Sequence, residues 1–186
     1  MRKLVMWNLQ TLDGYFEGAQ PWDLDFHNTA WGEELEKLSL DQGKEVSTLL
    51  FGRNTYEGMA SYWSTATGEI ADFMNGVSKI VFSSTLDAAT WNNTRLVNGD
   101  AGDEVAKLKR ESGKNLFVFG SAELCDSLMR RELFDEYRIC LAPIVLGKGE
   151  PLFKPGADSR RLLLLEARPL KTGALILRYA PYQENA

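Results

Sequence analysis

Apolar residues recur along this chain in two rhythms. Short unbroken runs, bounded by glycine, proline or polar residues, predict buried strands near residues 3–9, 46–51, 79–82 and 116–119. Between them the spacing changes to three and four, which predicts helices over 28–42, about 54–63, about 103–112 and 122–131. Trp31, Leu35 and Leu38 share the stripe of the first. Strand and helix alternating in this way is α/β organisation with a largely parallel sheet. The last third changes character: 137–142, 162–167 and 175–179 read as strands without long helices between them, so antiparallel strands are expected at one edge. Residues 84–103 read as a long irregular crossing. With no repeat or linker to divide the chain, one domain is expected over 1–186.

Composition narrows the class of protein. A chain of 186 residues, 44% hydrophobic, has room for one sizeable core but not for two. The formal net charge is −5, and no cluster of Lys and Arg interleaves with aromatics. Neither a nucleic-acid backbone nor an acidic membrane is an expected partner. The first apolar run is too short for a signal peptide or a membrane span, which predicts a cytoplasmic protein. Cys125 and Cys140 lie inside apolar patterns and read as reduced core thiols. The single histidine, His27, leaves no Cys/His or His-pair metal site, so metal-free chemistry is expected.

Candidate chemistry gathers where the strands stop. The run Leu49-Leu50-Phe51 halts at Gly52, and Arg53 and Thr55 open the helix expected after it. A helix start offers free backbone N–H groups, a glycine lets a phosphate approach, and an arginine can clamp it. Ile80-Val81-Phe82 ends in Ser83-Ser84, and Phe117-Val118-Phe119 ends in Gly120-Ser121 before a helix. Taken singly, each is also a turn or a helix cap. Ligands of open α/β sheets bind beyond the carboxyl ends of strands, so three such ends can share one ligand. Asp13-Gly14 is a turn signal, and Trp22, Trp31 and Trp63 are either core residues or platforms for a flat heterocycle.

In order along the chain, five motifs resemble the dihydrofolate reductase superfamily, and within it the stand-alone relatives of the reductase domain of riboflavin biosynthesis. They are Thr11-Leu12-Asp13-Gly14-Tyr15, Leu50-Phe51-Gly52-Arg53-Asn54-Thr55-Tyr56-Glu57, Ile80-Val81-Phe82-Ser83-Ser84, Phe119-Gly120-Ser121-Ala122, and Asp135-Glu136-Tyr137-Arg138 running on through Leu146-Gly147-Lys148-Gly149 to Phe153. The resemblance implies a dihydrofolate reductase-like α/β fold: a central mixed, mostly parallel sheet flanked by helices, with antiparallel C-terminal strands. It implies NADPH as cofactor, with Gly52, Arg53 and Thr55 holding phosphate and Ser83 and Ser84 at the ribose-phosphate end of the adenosine. Gly120, Ser121, Ala122 and Leu124 would take the pyrophosphate, and the turn at Gly147 would lie near the reduced ring or the substrate. Thr11 and Asp13 would border the substrate, with Trp22 against it. Glu123 stands where folate-reducing relatives often place an arginine.

The activity implied is NADPH-dependent reduction of a small heterocyclic substrate, most like 5-amino-6-(5-phosphoribosylamino)uracil. Dihydrofolate reduction and a non-catalytic, nucleotide-binding dimeric module are the alternatives. Folate-reducing relatives place a buried carboxylate five residues after the Trp of a Pro-Trp pair. Here Pro21-Trp22 is followed at that spacing by His27, with Asp25 two residues before it. Either Asp25 or His27 is the expected proton donor. Lys148 and Arg138 are candidates for a substrate phosphate, and a homodimer through the apolar final strands is expected.

Overall fold

The apolar runs form the middle of one twisted sheet, seen in a computed structural model that describes residues 1–156 and 158–183. The other positions of the expected 1–186 domain lie outside the described residues. In chain order the elements are β1 (Leu4–Thr11), β2 (Tyr15–Glu17), a 3-10 helix (Asp25–Thr29), α1 (Glu33–Gly43), β3 (Val46–Gly52) and α2 (Arg53–Trp63). They continue with α3 (Glu69–Gly76), β4 (Ser78–Phe82), β5 (Thr94–Val97), α4 (Ala101–Arg110), β6 (Asn115–Phe119) and α5 (Ala122–Arg130). The last four are β7 (Glu136–Ala142), β8 (Glu150–Pro151), β9 (Leu162–Pro169) and β10 (Leu175–Pro181).

Eight strands pair in the order β5-β4-β3-β6-β1-β7-β10-β9, and β2 pairs with β8 in a small separate ribbon. The first six of the eight are parallel to one another, whereas β10 runs antiparallel to both β7 and β9. Side-chain alternation splits the core between the two faces. Val5, Trp7, Leu49, Phe51 and Phe117 pack towards α1, α2 and α3. Leu4, Met6, Leu50, Leu116 and Val118 pack towards α4 and α5. Burial on both faces is why the central strands read as continuous apolar runs.

Several expectations change. The helix expected over 28–42 is two pieces, because the chain opens at Gly32 between the 3-10 helix and α1, and Trp31 drops off the stripe to 45% exposure. The stretch 84–103 is not wholly irregular, since it contains β5 beside β4. Its four residues include exposed Arg95 and give no apolar run. The short α3, β2 and β8 were likewise below what periodicity resolves. Cys125 and Cys140 are free, buried thiols, and burial pushes both up to about 12. No helix among the described residues is long and apolar enough to cross a membrane.

Candidate functional site

The carboxyl edge of the sheet opens into a cavity of about 820 Å³. Its place follows from topology: β4, β3 and β6 are consecutive and parallel, so the polar segment at the end of each stands beside the next. Gly52 ends β3 and Arg53 opens α2, while Gly120 and Ser121 join β6 to α5. The Ser121 hydroxyl accepts the Gly52 amide at 3.2 Å and ties the two turns together. Gly120 and Ser121 both adopt left-handed backbone, with φ of 65° and 63°. At Gly120 a Cβ would also lie 3.0 Å from the Thr55 methyl, so the turn excludes a side chain. Neither α2 nor α5 has a side-chain cap. The amides of Ala122, Glu123 and Leu124 precede the first rung of α5, which runs from Cys125 N–H to Ser121 O. All three residues line the cavity, where their donors and the positive end of the macrodipole suit an anion.

Charge around the cavity is arranged by pairing. Arg53 donates to Glu57 at 2.9 Å and to the Thr85 hydroxyl at 2.8 Å, so its guanidinium leans on the turn after β4. Ser83 stabilises that turn by accepting the amides of Thr85 and Leu86. Ser83 and Ser84 themselves are not in the cavity wall, which takes Phe82 from this strand end. Of the acids in the wall, Glu17 accepts the Trp22 amide. Glu123 and Glu150 both pair with Lys154, the former at 3.0 Å. Arg53 is the one cationic side chain among the lining residues described.

A smaller chamber of about 160 Å³ adjoins the first and shares Phe16, Trp22 and Thr55 with it. Trp22 has φ of 67°, an outlier for a bulky residue, and its indole lies against Gly58, where any Cβ would fall inside the ring. Trp31 and Trp63 join it in the wall, as does Gln42. His27 lines this chamber, and burial pushes its imidazole down from 6.5 to about 4. Its Nε2 is buried without a partner. Asp25, by contrast, is exposed at the start of the 3-10 helix and lines neither cavity. No Asp, Glu, Lys or Arg lines the smaller chamber among the described residues.

Thr11, Asp13 and Gly147 do a different job. The Thr11 hydroxyl donates to Asp13 and accepts the Tyr15 amide. Asp13 then accepts the amides of Gly147 at 2.7 Å and Leu146 at 3.3 Å. The Thr11 bond first, then the two amides, hold the Asp13 carboxyl below its ordinary range. None of the three lines a cavity, yet they fix the segment carrying Gly149 and Glu150, which do. Lys148 is exposed, and Arg138 is buried among Glu136, Gln42 and Glu45. Gly149 ends the Leu146-Gly147-Lys148-Gly149 turn named from the sequence, whereas Phe16, Glu17 and Gln42 were not singled out. Phe16 alone carried a usable signal, as an aromatic closely following the Asp13-Gly14 turn.

Residues 2–176 match the family model described as the RibD C-terminal domain. Protein YyaP of Bacillus subtilis (strain 168) is 26% identical over 186 residues, spanning 96% of this chain and 94% of its own. The structure of a putative riboflavin biosynthesis protein from Shewanella sp. PV-4 is similar at a TM-score of 0.79 and 21% identity, covering 97% of this chain and 99% of its own. Dihydrofolate reductase from Enterococcus faecalis, solved with NADP(H) and RAB-propyl, is similar at a TM-score of 0.64 and 16% identity, with 97% of each chain covered. The fold is that of the dihydrofolate reductase-like proteins.

Proposed function

We propose, from the premise that this chain belongs to the RibD C-terminal domain family, that it is an NADPH-dependent reductase of a small heterocyclic substrate. The observation that carries this reading is the pair of uncapped helix starts, Gly52-Arg53 and Ser121-Ala122, held side by side on one cavity by the Ser121 to Gly52 hydrogen bond. The donor set fits a dinucleotide: backbone amides of α5 for a pyrophosphate, and Arg53 for a ribose phosphate. The left-handed turn at Gly120 and Ser121 packs against Thr55 and Phe16 and sets the start of α5 in the cavity wall beside Gly52. When bound, the reduced nicotinamide supplies two electrons and a proton as hydride to the carbon of a C=N or carbonyl bond, whose heteroatom takes a second proton.

The protein's own contribution is to bind, orient and exclude water. Phe16, Trp22 and Thr55, shared by both chambers, are the place where the two ligands would meet. His27 is neutral at pH 7, so it orients the substrate by hydrogen bonding, and the second proton comes from water. Dihydrofolate reduction is the weaker reading, because no carboxylate lines the smaller chamber among the described residues. The same proposal includes a homodimer joined through β9, where Leu163, Leu164 and Leu165 are each about half exposed on an edge strand.

Thermal unfolding with NADPH, with NADH and without nucleotide tests the cofactor. A hundredfold excess of NADPH over its dissociation constant is expected to stabilise the protein by about 2.7 kcal/mol. Arg53→Ala should weaken NADPH more than NADH. Absence of a shift with either nucleotide overturns the proposal, and equal losses remove the phosphate role of Arg53.

A further inference from the structure

Accepting the reductase reading above, we infer that the substrate is a flat, uncharged heterocycle that carries no phosphate. Three features of the smaller chamber lead there. Its volume of about 160 Å³ is close to that of apolar cavities known to hold a single six-membered ring, so it receives the ring of a substrate and leaves any sugar on that ring towards the larger cavity, at the wall the two share. Its wall is aromatic, with Trp7, Trp22, Trp31 and Trp63 contributing four of the five tryptophans in the chain. A planar ring stacks well there, while a charged group would lose its hydration with nothing to replace it.

The second feature is polar: of the three residues in the wall that have a buried polar atom without a partner, Asn8 turns its amide to Cys125 on the other face of the sheet, which leaves Gln42 Nε2 and His27 Nε2. The orientation of the Gln42 amide is set from outside the chamber. Arg138 Nη1 donates to Gln42 Oε1 at 3.1 Å, and Arg138 is itself held by Glu136 at 2.7 Å. An oxygen facing a guanidinium fixes the amide, so the free end of Gln42 is a donor. The chamber therefore asks for a ring bearing an acceptor, such as a carbonyl or an unprotonated ring nitrogen. A second polar edge would meet His27.

The third feature is the distribution of positive charge. A phosphorylated substrate beside NADPH needs cations beyond Arg53, and the two candidates from the sequence are not there. Arg138 is 5% exposed and fully engaged, and Lys148 is exposed and lines neither cavity. Lys154, near the larger cavity, is neutralised by Glu123 and Glu150. Among the described residues, a phosphate dianion would have no counter-charge at either chamber once the cofactor is in place.

Matched probes on the NADP⁺-loaded protein test the inference: uridine against uridine 5′-monophosphate, and inosine against inosine 5′-monophosphate, with affinities read by ligand-observed NMR and calorimetry. The nucleosides are expected to bind, with the monophosphates weaker by about a hundredfold or more. Gln42→Leu should weaken the nucleosides about tenfold while leaving NADP⁺ affinity unchanged, and His27→Gln, which keeps a donor and an acceptor, should weaken them less. Equal or tighter binding of the monophosphates overturns the inference. So does a protein that binds NADP⁺ but neither nucleoside. Failure to bind NADP⁺ at all is a failure of the reductase reading instead, and the NADP⁺ titration made first separates the two.

Discussion

His27 shows how much one side chain's placement decides. Successive residues of a 3-10 helix point about 120° apart, so neighbours in sequence face different surroundings. Phe26 is buried, His27 enters the chamber and Asp25 faces solvent. Because burial lowers His27 from 6.5 to about 4, the unfolded chain binds a proton across that interval while the folded protein does not. Stability therefore rises with pH from about 4 to 6.5, is fully present above that, and is lost as pH falls. Between pH 7 and pH 5 the loss from this group is expected to be about 2 kcal/mol. Denaturant unfolding at both values should show that loss in the native sequence and much less of it in His27→Gln; parallel curves would contradict the linkage. The sequence narrowed the choice to Asp25 or His27 but could not make it, since spacing alone does not say which way a single helical turn is rotated. Gly52, Arg53, Thr55 and Gly120 were readable, because a strand that stops at glycine before a helix has few geometries available to it.

At the scale of elements, the most consequential packing is polar. Glu136 on β7 is 3% exposed and accepts both Arg138 and Arg178 at 2.7 Å, and Arg178 reaches on to Glu166 of β9 at 3.1 Å. Burial alone would raise the Glu136 carboxyl, but the hydrogen bonds and charges of the two arginines overcome it and hold the group below its ordinary range. One carboxylate thus links the parallel part of the sheet to its antiparallel edge. Glu136→Gln removes the buried one of the two carboxylates that each arginine holds, leaving Glu45 to Arg138 and Glu166 to Arg178, and a loss of about 1.5 to 3 kcal/mol is expected by chemical denaturation. A loss under about 1 kcal/mol would mean that the arginines find other partners. The apolar strands β1, β3, β4 and β6 were readable because both faces are buried. α3 and β5 were not, since eight and four residues with mixed polarity fall below the length at which a period can be recognised.

The whole molecule ends in an edge that a lone domain has reason to cover. β9 has β10 on one side and no strand on the other among the described residues, and Leu163, Leu164 and Leu165 are 53%, 52% and 49% exposed. Sedimentation should find a dimer for the native chain and a monomer for Leu163→Glu with Leu165→Glu, with the cofactor-dependent stabilisation retained in both. A native monomer at micromolar concentration removes the dimer from the proposal. The wall made by Phe16, Trp22 and Thr55 has another consequence at this scale. If cofactor and substrate occupy the two chambers as proposed, both touch these three side chains, and their binding is expected to be coupled. Whatever factor the first imposes on the second, the second returns to the first, so the affinity measured for either one is a property of the pair.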